Sequence, residues 1–497
     1  MESSRTRAGA IGRPRTRDAE PAPAAVSARG AQLLARLERI DIWSLPFLFI
    51  GILGLGFLFT FYDIFDINVS FIQSCVDLKK GCTPENALTT LRVPIVLNLA
   101  GYVVGTLVLS PIADRVGRRN MLLFTMLITG LGALWNALAG DYTQFVIARI
   151  VTGVGIGADL AIVNTYIGEV APRRGRAKFT SMIFFMSSLG AFLGVWVGLV
   201  LTTEAAPWPN GLSWAQASST FTNGWRWTYA IGALLALVAI VLRVELPESP
   251  RWLIGRGRLD DAEKVVHDME ANAAKRGPLP EPVPVEEPEL VTERAPYGEL
   301  LRSGLYLKRI LLLFSMWFLA YVTVYAFSAG GTSIFTALNY KPPEAGLIVA
   351  MGVIGFVIAG FSAPVLAERL ERKLWLPICA LVTLGGGVLV AEAGDTNLTL
   401  AFIGAGIVFF GFNLWVPMAY AWSAENFPTR ARTSGFALVD GVGHLGGGIG
   451  VLLIAPHLDH WGALASFLVI AGFLVVAAVI AQFGIRTRAR RLEEVSP

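Results

Sequence analysis

Glu169-Val170-Ala171-Pro172-Arg173-Arg174-Gly175-Arg176 is written twice in this chain. Its charged frame, Glu-x-x-Pro-x-Arg-x-Arg, returns 256 positions on as Glu425-Asn426-Phe427-Pro428-Thr429-Arg430-Ala431-Arg432. A second pair behaves alike. Asp114-Arg115-Val116-Gly117-Arg118-Arg119 is answered 254 positions on by the weaker Glu368-Arg369-Leu370-Glu371-Arg372-Lys373. Each copy follows a long apolar run. The arrangement predicts a membrane protein built from two related halves, and it points to a transporter before any single residue is interpreted.

Composition agrees. The 497 residues are 54% hydrophobic and 16% charged, with a mean hydropathy of +0.57, whereas soluble chains carry about 25% charge. The 52 glycines suit membrane helices, which approach closely through small residues. The net charge is +4 and the pI about 9.0, but the basic residues gather in short loops between apolar segments, so membrane topology explains them and nucleic acid is not an expected partner. Cys379 lies in an apolar run and reads as an inert core residue. Cys75 and Cys82 share one hydrophilic loop without metal-ligand neighbours, and a disulfide and two free thiols both remain open.

A helix needs about 20 apolar residues to cross the hydrocarbon core. Twelve candidates stand at 46–71, 92–112, 120–139, 143–167, 179–201, 225–244, 309–330, 344–366, 374–392, 397–421, 433–455 and 461–483. Loops after the second, fourth, eighth and tenth hold Arg115, Arg118, Arg119, Arg173, Arg174, Arg176, Lys178, Arg369, Arg372, Lys373, Arg430 and Arg432; the opposite loops hold Lys79, Lys80 and Lys341. Positive loops stay inside, so both termini are expected to be cytoplasmic. The expected units are a disordered cytoplasmic segment 1–44, a six-helix bundle 45–244, a cytoplasmic connector 245–308, a second six-helix bundle 309–484 and a tail 485–497. Leu259 to Lys275 reads as a short amphipathic helix; Pro278 to Pro296, rich in Pro and Glu, reads as flexible. No nucleotide-binding loop is present, which turns the reading from ATP-driven pumping to secondary transport.

These features resemble the major facilitator superfamily over nearly the whole chain. Asp114 to Arg119 is similar to that family's loop motif between helices 2 and 3, with Ser110 where a glycine is usual. Arg149-x-x-x-Gly153-x-Gly155-x-Gly157 followed by Glu169, Trp225-Arg226-Trp227, and Pro247-Glu248-Ser249-Pro250-Arg251-Trp252-Leu253 resemble the branch of sugar porters and metabolite–proton symporters. Helix 7 offers Leu319-Ala320-Tyr321-Val322-Thr323-Val324-Tyr325 and helix 10 offers Asn413-Leu414-Trp415-Val416-Pro417, which depart from the sugar-porter patterns. Asp63-x-x-Asp66 resembles the acidic pair of symporters for organic anions and other metabolites. The resemblance implies an all-α polytopic protein, twelve transmembrane helices in two pseudo-symmetric six-helix bundles; the expectation is a chain in a cytoplasmic (inner) membrane, without a cofactor and monomeric.

The candidate residues follow. Asp63 and Asp66 lie three apart on one face of helix 1, inside an apolar run, where an acid is costly and usually functional. Asp159 in helix 4 is expected to face the central cavity, with pairing between helices as the competing reading. Arg149 lies ten residues away, too far to pair with it. Asp440 and His444 share a face of helix 11, where a histidine titrating near neutrality suits a proton relay; the other reading is a glycine-rich helix with two bridging polar residues. Asp63, Asp66, Asp159, Asp440 and His444 form the proton-coupling set. Asn68, Asn164, Tyr166, Tyr321, Tyr325, Asn413, Trp415 and Tyr420 are the substrate-binding set. Asp114, Arg115, Arg118, Arg119, Arg149, Glu169, Arg174, Arg176, Glu368, Arg369, Arg372, Glu425, Arg430 and Arg432 form the gating set, with Asp114 expected on Arg174 or Arg176, Glu169 on Arg118 or Arg119, and Glu425 on Arg369, Arg372 or Lys373. Such pairs, made in one state and broken in another, bias a two-state equilibrium.

The expectation is a proton-coupled symporter of a small metabolite, an organic acid or similar, working by alternating access, with no covalent chemistry. Sugar– or phosphate–proton symport, cation–proton antiport, facilitated uniport and a non-transporting sensor are the alternatives. Charge placement, four embedded acids against one clearly embedded arginine, favours a neutral or cationic substrate, whereas the resemblance favours organic acids.

Overall fold

A chain in hydrocarbon must satisfy its backbone internally, and a helix does so within one segment. The computed structural model describes residues 23–83, 87, 90–172, 174–284, 296–337, 340–394, 397–454 and 457–496. Among them are twelve helices long and apolar enough to cross a membrane. Spans 1–12 are Phe47–Leu78, Arg92–Val116, Arg118–Leu138, Tyr142–Val170, Arg176–Thr202, Gly224–Arg243, Gly304–Ser328, Pro343–Leu366, Arg372–Ala393, Leu398–Glu425, Thr429–Ile454 and His460–Ala481. Each overlaps one apolar run. Several outlast their run, span 1 reaching Leu78 instead of 71, because helical hydrogen bonding continues through the polar boundary where hydropathy stops. The Cys75–Cys82 disulfide is formed and ties the end of span 1 to the following loop.

Spans 1–6 pack into one bundle and spans 7–12 into a second. Span 5 lies on spans 1 and 8, and span 2 on spans 4 and 11, so spans 2, 5, 8 and 11 carry the seam between bundles. The glycine ladder of span 4 has a steric cause. A Cβ at Gly153 would stand 2.1 Å from the carbonyl oxygen of Asn98 and one at Gly157 2.2 Å from that of Tyr102, both on span 2; one at Gly155 would stand 2.1 Å from Thr129 Oγ1 on span 3. Span 4 is thus pressed between two neighbours on alternate glycines.

Spans 10, 11 and 12 are locally broken, span 12 at Gly462 (φ 71°). Span 10 divides at Trp415, just before Pro417, which cannot donate to a helical bond. Span 11 contains a π-helical turn at Ala437–Gly441.

The amino-terminal segment departs from expectation. Residues Pro23–Glu38 form a helix instead of a disordered tail. Leu33, Leu34 and Leu37 are buried, and Arg29, Arg36 and Arg39 bind Asp260, Glu263 and Glu270 of the connector helix Leu259–Ala274 at 2.5–2.8 Å. Disorder was expected from composition, which does not see an acidic helix more than two hundred residues away. Residues 1–22 and most of the Pro- and Glu-rich stretch, 285–295, lie outside the described residues, as does Arg173.

Candidate functional site

Two buried groupings lie along the seam, a central cavity and a charge network on the face that carries Pro23–Glu38 and Leu492–Val495 (the chain-end face); a carboxylate–arginine pair lies inside the first bundle.

On the face of the chain ends, the two copies of Glu-x-x-Pro-x-Arg-x-Arg exchange partners. Glu169 accepts from Arg432 of the other copy at 3.4 Å, and Arg176 lies 3.9 Å from Glu425. Arg118 joins Glu169 (3.0 Å) and Asp114 (3.1 Å), and donates across the seam to Thr429 O at 3.1 Å. Asp114 accepts from the amide and hydroxyl of Ser434 at 3.0 and 2.7 Å. In the second half Arg372 holds Glu368 (3.0 Å) and Glu425 (3.6 Å), and Glu368 accepts from the Ala177 amide at 3.1 Å. Arg430 pairs with Glu299 at 2.7 Å, and Arg119 donates to Val244 O at 2.6 Å.

The expected partners of Glu169 and Glu425 are therefore found in Arg118 and Arg372. Among the described residues Asp114 pairs with Arg118 instead of Arg174 or Arg176. Arg118 sits one turn away from it, Arg176 is drawn across the seam, and Arg174 is exposed, as are Arg115 and Arg369. Glu248 was not foreseen. Its carboxylate accepts from the amides of Arg118 (2.9 Å) and Arg119 (3.2 Å) at the start of span 3, while Ser249 donates to Glu169. Burial pushes the Glu248 carboxyl above the ordinary glutamate range even though these donors oppose it.

Asp63 and Asp66 share a face, and that face turns into the first bundle. Arg149 donates to Asp63 Oδ2 at 3.0 Å and to its carbonyl at 3.1 Å. Asp66 is fully buried, and neither carboxylate oxygen has a hydrogen-bond partner among the described residues. Asp159 does not line the cavity. Both terminal nitrogens of Arg243, at the end of span 6, bind it, and Thr125 Oγ1 donates to it at 2.9 Å. Pairing between helices, the competing reading, describes its geometry.

The cavity lies between the bundles and measures about 40 Å³, room for roughly three waters. The opposite face of span 1 lines it with Phe61, Ile64 and Phe65, joined by Phe356, Phe412, Asn413, Tyr321, Tyr325, Tyr420 and His444. Four expected substrate residues, Tyr321, Tyr325, Asn413 and Tyr420, are among these. Trp415 stands behind them against Trp317, ring centroids 5.1 Å apart. Asn68 bonds the carbonyl of Ser328 and accepts from Thr332 (2.9 Å), closing the seam on the face away from the chain ends. Asn164 caps back onto Leu160 O at 2.7 Å, and Tyr166 donates to Pro247 O at 2.9 Å. None of these three lines the cavity: helix membership alone does not say which way a side chain turns. Phe61 and Phe65 were missed, although the one-turn spacing that sets them opposite Asp63 and Asp66 was visible.

Residues 48–497 match the family described as sugar (and other) transporter. The chain is similar to the niacin transporter NiaP of Acinetobacter baylyi, 25% identical over 471 residues covering 93% of this chain and 99% of that one. It is also similar to the inner membrane metabolite transport protein YgcS of Escherichia coli, 27% identical over 394 residues, 77% and 79% of the two chains. Among solved structures, the proton:xylose symporter XylE of E. coli superposes with a TM-score of 0.71 at 21% identity, over 90% of this chain and 97% of that one.

Proposed function

This chain belongs to the sugar (and other) transporter family of the major facilitator superfamily, and from that premise of a secondary membrane transporter we propose proton-coupled symport of a small metabolite. The observation that carries the coupling is the Asp63–Arg149 pair with Asp66 beside it. A lone ionised carboxylate is strongly disfavoured away from water, so Asp66 is a residue that holds a proton while the site is closed and loses it where water enters. Asp63, held by Arg149, supplies a second carboxylate three residues away, and movement of Arg149 between the two couples protonation to the packing of spans 1 and 4. The seam charges then select the state: with the network on the chain-end face made, that face is shut. We place this face in the cytoplasm, because its loops hold the arginines, and the protein in an inner membrane.

The relatives are named for niacin and xylose, which leaves the substrate open. The cavity weighs against a sugar. It presents few polar atoms, and each polyol hydroxyl left unpaired there costs about 1–3 kcal/mol.

Proteoliposomes with an internal pH dye test the coupling, using xylose, nicotinate, inorganic phosphate and tyramine as probes. Uptake with internal acidification, abolished in Asp63→Asn and Asp66→Asn, is the expected result. Uptake indifferent to pH in active mutants overturns it in favour of a uniporter. Antiport of a cation is the second reading, supported by a cavity whose lining includes no Lys or Arg among the described residues; internal alkalinisation on uptake identifies it.

A further inference from the structure

One wall of the cavity has a polarity that coupling through Asp63 and Asp66 leaves unused. Asp440 sits in the π-helical turn of span 11, a kind of distortion common at functional sites. It is fully buried, and its carboxylate accepts from hydroxyls: Tyr321 on one oxygen and Tyr102, from the other bundle, on the second at 3.2 Å. With its hydrogen committed, Tyr321 accepts that of Tyr420 at 2.9 Å. His444 Nδ1 lies 2.8 Å from the Asp440 carbonyl. A carbonyl only accepts, so Nδ1 carries the hydrogen and a neutral ring leaves Nε2 as an acceptor. Asn413 commits its amide hydrogens to Phe356 O (2.9 Å) and Ser188 Oγ (3.2 Å). These four lining residues have therefore turned those hydrogens away from the cavity. What they keep for a ligand is lone pairs and ring faces, backed by a carboxylate with no Lys or Arg paired to it among the described residues, the neutral His444 ring lying 3.9 Å from it.

The other wall is a run of phenylalanines. Ring centroids are 6.4 Å apart for Phe61 and Phe65, 5.2 Å for Phe65 and Phe356, and 5.6 Å for Phe356 and Phe412. On the wall that carries Asp440, Tyr321 and His444 lie 3.9 Å apart and Tyr325 and His444 5.6 Å.

We infer that the substrate is a compact molecule with a planar aromatic ring and a cationic, N–H-donating nitrogen, taken up between these two aromatic walls as the cavity widens beyond its present 40 Å³, with the nitrogen on the Asp440 side. The inference rests on the reading of the chain as a transporter with a central site. Rings stack on both walls. A hydroxyl that donates to a carboxylate makes its own ring more electron-rich, which strengthens attraction to a cation over the ring face. A carboxylate ligand at this wall meets the acceptors of Tyr321, Tyr420, His444 and Asn413, although the hydroxyls of Tyr325 and Ser328 also line the cavity; a saturated amine buries apolar surface against the phenylalanines but cannot stack on them.

The test is isothermal titration of the purified full-length protein with tyramine, benzamide, benzoate, cyclohexylamine and xylose. Tyramine is expected to bind at least tenfold more tightly than each of the others, and Asp440→Asn to weaken it at least tenfold. Because Asp440→Asn also alters the Tyr102 and Tyr321 bonds and can impair folding, Tyr325→Leu is the second variant. It removes one ring face without touching Asp440, and is expected to weaken tyramine several-fold while leaving cyclohexylamine unchanged. Tighter binding of benzoate, equal binding of cyclohexylamine, no heat with tyramine, or tyramine binding that survives both variants each overturns the inference. Its failure is separable from that of the coupling: tyramine binding without proton movement in liposomes removes symport alone, and proton-coupled uptake of benzoate removes the cationic substrate alone.

Discussion

At the scale of single residues, Asp63 and Asp66 look equivalent in sequence and are not. Asp63 is the counter-charge of a buried arginine; the Asp66 carboxylate has no ion pair or hydrogen-bond partner among the described residues. Removing one partner of a buried pair costs about 3–5 kcal/mol, because the other charge is left uncompensated. Asp63→Asn is therefore expected to lower the melting temperature in detergent clearly, and Asp66→Asn to leave it unchanged or raise it, while both lose proton coupling. Equal destabilisation by the two would contradict this division. The sequence made the shared face of the two acids legible through their spacing. It could not show Arg149 as the partner of Asp63, nor Arg243 as that of Asp159, since each pair joins helices whose rotation is set by packing.

At the scale of elements, span 4 depends on its glycines. Gly157→Ala places a methyl group 2.2 Å from the backbone carbonyl of Tyr102, and a backbone cannot move aside as a side chain can. Overpacking of this kind costs about 1–3 kcal/mol. The variant is expected to melt earlier and to lose uptake, whereas Gly406→Ala, whose added carbon would meet nothing within 4 Å, should match the parent in the same assay. The glycine ladder and the Pro-Glu-Ser-Pro-Arg signature were legible as motifs. Their causes were not: a helix squeezed from two sides, and a glutamate binding the first amides of span 3. The π-helical turn at Asp440 left no readable signal in hydropathy or spacing.

At the scale of the whole molecule, the seam network ties one bundle to the other through Glu169–Arg432 and Arg176–Glu425. Glu169→Gln combined with Glu425→Gln removes the acidic partner of both. A bias of about 5.5 kcal/mol takes a two-state equilibrium from 1:99 to 99:1, so losing buried pairs of this kind is enough to open the chain-end face in a large fraction of molecules. Spin labels at the exposed positions 174 and 369, one in each half, should then report a longer-distance population in double electron–electron resonance; an unaltered distribution would oppose a gating role. The docked helix Pro23–Glu38 adds a pH dependence. Burial raises the Glu270 carboxyl, but hydrogen bonds from Arg36 and Arg39 outweigh it and hold the group below the ordinary glutamate range. A depressed carboxylate contributes stability above its unfolded value, about 4.3, which is lost as pH falls through the folded one. Hydrogen exchange of residues 23–38 is thus expected to stay slow from pH 5 to 8 and to rise only in stronger acid.

The sequence by itself determined the class of molecule and the outline of its gate. Twelve apolar runs cannot be solvated in water, and the doubled Glu-x-x-Pro-x-Arg-x-Arg frame marks two equivalent loops. Tertiary structure alone decided that the copies of that frame pair with each other across the seam, that the Asp66 carboxylate has no hydrogen-bond partner among the described residues, and that Phe61 and Phe65 face the cavity in place of Asn68, Asn164 and Tyr166. The physical reason is one of range: hydropathy and spacing act along a few turns of one helix, whereas the direction a side chain faces and the charge it meets are fixed by neighbours distant in the chain.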